Sequence, residues 1–178
     1  MSKICNSNNW KEVKRERILP FASVVSGQVP GVPFDMVQIE SKDSVIIVPC
    51  TKNGALMMTE ARPPYGSGFQ AFPAGKVEEN EDPEATALRE LLEETGLEAK
   101  SMRLLGSKRL FHHICSEVVY IYLAEVDPNY RSSLSLEEGE LIEEQLTEVS
   151  WTEMRGLIHT EQLDGVSVTA ALWALLEY

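Results

Sequence analysis

Apolar and polar positions along the chain change period twice, and the changes mark where strands give way to a helix and return. Between residues 10 and 40 charged and apolar residues alternate loosely, and Gly27, Pro30, Gly31 and Pro33 break the alternation into two strand-like pieces. A hairpin or small sheet is expected there. Residues 44–48, rich in Val and Ile, and residues 55–59 flank Asn53-Gly54, which predicts that the two runs pair as a hairpin. Residues 62–68, Arg-Pro-Pro-Tyr-Gly-Ser-Gly, read as a loop, followed by a short apolar run ending at Phe72.

A helical period then sets in. Asp82 and Pro83 supply an N-cap and first turn, Gly96 supplies a stop, and Leu88, Leu91 and Leu92 share a stripe expected to pack inward. Beyond it, residues 100–111 and 117–125 read as strands joined by residues 112–116. Residues 127–145 read as an acidic, Ser-rich loop and residues 146–151 as a last strand. Thr152 is placed to cap a short helix, and Asp164 another running towards residue 178, with Val168, Ala171, Leu172 and Leu175 at helical spacing. The order predicts an α+β fold, a mixed β-sheet sandwiched between helices, with a small N-terminal β segment over residues 1–40 and a main domain over 41–178.

A chain of 178 residues is long enough for one domain with a substantial core. Its net charge of -12 disfavours a nucleic-acid backbone or an anionic membrane as partner. Cys5, Cys50 and Cys115 are scattered without CxxC spacing, so neither a disulfide framework nor a zinc site is expected. No run is apolar enough for a signal peptide or a membrane span, and a cytoplasmic location is expected.

The helix carries the chemistry. Glu90, Glu93 and Glu94 stand at i, i+3 and i+4, where each like-charge pair costs about 0.2 to 0.5 kcal/mol, and carboxylates in the last turn also oppose the helix dipole. Breaking two local rules together marks a functional site, and the simplest reason to tolerate the repulsion is a bound divalent cation. Arg89 is placed to pair with Glu93, and it and Glu81 also suit an ion pair that ties loop to helix.

Gly75, Glu81, Arg89, Glu90, Leu91, Glu93, Glu94, Gly96 and Leu97 match the Nudix box position for position, so the chain resembles Nudix hydrolases. Arg62-Pro-Pro-Tyr-Gly, Phe72-Pro-Ala-Gly, Ser116-Glu117, Ala124-Glu-Val-Asp and the segment 163–173 narrow the resemblance to ADP-ribose pyrophosphatases. What it implies is the Nudix fold and Mg²⁺-dependent hydrolysis, with Mn²⁺ as an alternative, of the diphosphate in ADP-ribose or a related nucleoside diphosphate sugar. The products from ADP-ribose are AMP and ribose 5-phosphate.

By the same resemblance, Glu90, Glu93, Glu94 and the Ala74 carbonyl are metal ligands, and Glu117, Arg89 and Glu93 form the catalytic set. Arg62, Trp10, Phe34 and His112 contact substrate, and relatives are often homodimers whose N-terminal segments help build the partner's site. Plainer readings stand beside these. Glu117 also suits an exposed strand start, and Trp10 and Phe34 also suit packing residues of an N-terminal sheet. In place of the proline and small residues usual before the catalytic loop, this chain has Phe111-His-His-Ile-Cys115, with the two histidines expected on opposite sides of an extended stretch. That leaves open another nucleotide sugar, a dinucleotide, or a nucleotide-sensing domain without turnover.

Overall fold

A computed structural model of the chain describes residues 10–62, 66–131 and 142–178. Strands β1 (Lys11–Leu19), β2 (Ala22–Gln28) and β3 (Met36–Ser41) form a three-stranded antiparallel sheet, one strand more than the sequence pattern suggested. The break at residues 30–33 lies between β2 and β3, and a tighter turn after Leu19 separates β1 from β2.

A second, mixed sheet of seven strands among the described residues follows: β4 (Ser44–Cys50), β5 (Gly54–Arg62), β6 (Gly66–Ala71), β7 (Ala74–Lys76), β8 (Leu97–Lys108), β9 (Val119–Arg131) and β10 (Ile142–Ser150). Its main path runs β10-β5-β4-β9-β8, with β6 beside β5 and β7 beside β4. Three helices among the described residues cover it: α1 (Pro83–Thr95), α2 (Trp151–Leu157) and α3 (Gly165–Leu175).

Strand β4 shows why this is a sandwich. Val45 and Ile47 join a core with Ala87 and Leu91 of α1, while Ile46 and Val48 join another with Met154 of α2 and Ala170, Ala171 and Ala174 of α3. Both faces are covered, so the strand is apolar at successive positions rather than alternating.

Several expectations are corrected. Strands β4 and β5 meet only where Cys50 faces Ala55; above that point Ser44, Val45 and Ile46 pair with Lys76, Gly75 and Ala74 of β7. Pro49, which has no N–H to donate, stands where the two strands part. Gly66–Ala71 is strand rather than loop, paired with β5, while residues 63–65 of the expected loop lie outside the described residues. Strands β9 and β10 extend into the expected acidic loop, whose residues 132–141 also lie outside the described residues.

On α1 the inward stripe is Ala87, Leu91 and Thr95, with Thr86 beside it, and Leu88 and Leu92 are exposed. Small residues at 86 and 87 let the helix sit close to the sheet and turn its larger leucines outward. The cap of α2 is Ser150, in a reciprocal capping box with Glu153, rather than Thr152. Asp164 does cap α3, accepting from Ser167 N at 2.7 Å, but the helix ends at Leu175 and Leu172 faces out. No helix among the described residues is long and apolar enough to cross a membrane.

Candidate active site

Local signals fix the glutamate helix in place. Asp82 accepts from Glu84 N at 2.9 Å, and Gly96, at φ 68°, closes the helix with its N–H on Leu92 O at 2.8 Å. Packing of α1 on β4 and β7 then brings the glutamates over the start of β7.

Arg89 organises them. Its Nε and Nη2 donate to the two carboxylate oxygens of Glu81 at 3.2 and 3.3 Å, and its Nη1 reaches Glu90 Oε1 and Glu93 Oε2 at 2.8 Å each. The hydrogen bond from Arg89 holds the Glu81 carboxyl well below its ordinary range, down to about 2, and Arg89 is itself pushed upward, chiefly by Glu81. Glu94 Oε2 accepts from Ala74 N at 2.9 Å, which ties the end of α1 to β7. Gly75 makes this approach possible, since a Cβ there would stand 1.9 Å from Glu90 Oε1.

Glu117 lies on the segment leading into β9, beside Ser44 of β4 and Lys76 of β7. Its Oε1 accepts from Ser44 Oγ and Lys76 Nζ, each at 2.6 Å. The segment is held on both sides: Arg109 Nε donates to Ser116 O at 3.1 Å, Ser41 N to Ser116 Oγ at 3.1 Å, and Val118 N to Asp43 Oδ1 at 2.9 Å. Lys76, Ser44 and Asp43 were not singled out from sequence. Lys76 alone offered a signal, as the one lysine between Gly75 and Leu97.

The expected substrate residues are dispersed. Trp10 lies against Gly27 of β2, where a Cβ would come within 2.6 Å of the indole. Phe34 is 66% exposed at the rim of a cleft with Lys11, Gln28 and Asp35. Trp10 directly precedes β1, and Phe34 lies on the connection from β2 to β3. His112 and His113 sit on a turn closed by Cys115 N on Phe111 O at 2.7 Å, both exposed, with their rings edge to face at 5.8 Å. The turn brings the two rings together, so the opposite-sided extended stretch expected for them is not formed. The side chain of Arg62 lies outside the described residues.

The donor set suits a hard divalent cation: three carboxylates and a peptide unit, with Gly75 admitting the Glu90 carboxylate close against the β7 backbone. As the side chains stand, they turn to Arg89 and to Ala74 N, and no three acidic, His or Cys side chains among the described residues already surround one point.

The NUDIX domain profile matches residues 40–169. The chain is 31% identical over 140 residues to the methanol dehydrogenase activator of Bacillus methanolicus, an alignment covering 75% of each protein. It is 33% identical over 106 residues to an ADP-ribose pyrophosphatase of Bacillus subtilis, covering 59% of this chain and 57% of that protein. A solved ADP compounds hydrolase shares the fold with a TM-score of 0.74 at 20% identity, over 97% of this chain and 95% of that one.

Proposed function

The chain belongs to the Nudix family of hydrolases, and from that premise we propose that it cleaves the diphosphate of ADP-ribose or a related ADP-sugar in the cytoplasm, releasing AMP. From ADP-ribose the second product is ribose 5-phosphate. The observation that carries this reading is the glutamate helix bound to its glycine strand, with Arg89 holding Glu81, Glu90 and Glu93 and with Glu94 on Ala74. The Bacillus subtilis relative, named for ADP-ribose, supports the substrate class.

A divalent cation, Mg²⁺ or Mn²⁺, would be held by Glu90, Glu93, Glu94 and the Ala74 carbonyl, and when bound it neutralises the diphosphate and makes a water more acidic. Glu117 takes the proton from the attacking water. Arg89 keeps Glu90 and Glu93 oriented, a positioning role that its contacts with both carboxylates support. Trp10 and Phe34 take the adenine, His112 the distal sugar, and Arg62 a phosphate oxygen. Residues 1–40 serve dimerisation and substrate contact, and the working unit is a homodimer. Six exposed apolar side chains, Val13, Ile18, Leu19, Phe34, Met36 and Val37, on the N-terminal sheet and its connecting loop support that assignment.

Incubating the purified protein with Mg²⁺ and ADP-ribose is expected to release AMP, read by chromatography; no AMP overturns the proposal. Glu94→Gln is expected to lose most of the turnover, whereas in a sensing domain, which has no turnover, the substitution would leave function untouched. A second reading keeps the chemistry and changes the substrate to a dinucleotide or another nucleotide sugar. The exposed His112-His113 turn favours it, since this turn leads directly into the segment bearing Glu117. A substrate panel ranked by kcat/KM decides between the two.

A further inference from the structure

The Lys76 ammonium sits where the main sheet, the N-terminal sheet and the Glu117 segment meet. Besides Glu117 Oε1, its Nζ reaches Ser41 Oγ at 3.3 Å and Lys42 O at 3.5 Å, and lies 5.2 Å from the centroid of the Phe21 ring. The backbone of Phe21 is tied to the same corner, since its carbonyl accepts from Lys42 N at 3.1 Å. The side chains of Lys76 and Glu117 are 26% and 25% exposed, unlike the surface pair Lys14–Glu16 at 70% and 63%. A surface pair of that kind holds nothing in place, whereas a half-buried charge-assisted bond at 2.6 Å fixes orientation.

Resting on the functional reading above, we infer that Lys76 is a positioning residue for Glu117. Lys76 and Ser44 both grip Oε1, and Oε2 has no partner among the described residues. The two grips therefore set the carboxylate plane and leave Oε2 as the oxygen that receives the proton. Because Lys76 also hangs from Phe21, Ser41 and Lys42, the orientation of Glu117 depends on how the N-terminal sheet is seated.

The test is a cycle of variants with a structural readout. Lys76→Met is expected to lower kcat between about tenfold and about a hundredfold with KM for ADP-ribose unchanged, as a misplaced reacting group does. Lys76→Arg is expected to restore most of it. In a Glu117→Gln background, Lys76→Met is expected to cost nothing further, since the group it positions is gone. An equal loss in both backgrounds, or none in either, overturns the inference. Crystals of Lys76→Met should show the Glu117 carboxylate rotated away; a carboxylate left in place overturns the inference whatever the activity. If that variant does not fold, Ser44→Ala removes the other grip and is held to the same outcomes. Wild-type protein that releases no AMP defeats the functional reading, while the crystal comparison still decides whether Lys76 holds Glu117.

Discussion

Arg89 is shared by three carboxylates, so its neighbourhood keeps a net negative charge even with every bond made. Its strongest effect is on Glu81, whose carboxyl is drawn from an ordinary 4.5 to about 2. A carboxyl depressed in the folded state stabilises above its unfolded value, and that contribution fades as pH falls towards the folded one. Wild type is therefore expected to resist urea better than Glu81→Gln at neutral pH, with the gap shrinking below pH 4.5 and closing near pH 2. A gap that stays constant across that range would refute the pairing. Gly75 acts by space alone. Alanine there would drive its Cβ to 1.9 Å from Glu90 Oε1, displacing either the glutamate or β7. Gly75→Ala is expected to lower kcat on the order of a hundredfold, with Mn²⁺ uptake weakened in a calorimetric titration. Unchanged uptake together with unchanged kcat would refute this spatial role of Gly75.

At the scale of elements, what could be read from sequence was whatever is decided within a few residues. The limits of α1 followed from Asp82, Pro83 and Gly96, because a cap bonds to backbone two to four positions away. The cap of α2 was equally local, and Ser150-Trp-Thr-Glu153 carries the full capping-box signature that Thr152 obscured. Ser150→Ala is expected to cost about 1 kcal/mol, seen as a lower urea midpoint at constant slope, whereas Thr152→Ala should leave the midpoint unmoved. What stayed hidden was pairing over distance. Asn53-Gly54 correctly marked a turn, yet β4 takes β7 and β9 as its main neighbours, and β9 lies some 70 residues further along the chain. Lys76 escaped notice for the same reason, since its meeting with Glu117 spans 41 residues and leaves no periodic trace in the sequence.

The whole molecule divides into a sheet with both faces covered and a sheet with much of its apolar surface bare. The first was legible from the order of strands and helices along the chain, and the successive apolar positions of β4 fit a strand covered on both faces. The second was legible only as strand-like alternation, because an exposed apolar face and a half-buried one leave the same pattern in the sequence. All nine residues of β1 are exposed, and Arg15 spends its guanidinium on Glu12 and Glu40, bracing the sheet rather than covering it. Val13, Ile18, Leu19, Met36 and Val37 then face water on β1 and β3, with Trp10 just before β1. Leaving that much apolar surface bare is costly for a single chain and ordinary for an interface. Light scattering after gel filtration is accordingly expected to give twice the chain mass of 19.9 kDa, and Val13→Glu with Val37→Glu to halve it. If the N-terminal segment of one chain completes the site of the other, the dissociated variant should lose activity with KM rising more than kcat falls, since substrate contacts go while the glutamate helix stays. A wild-type mass of 19.9 kDa at every concentration would refute the dimer, and a dissociated variant with unaltered kinetics would show that each chain carries a complete site.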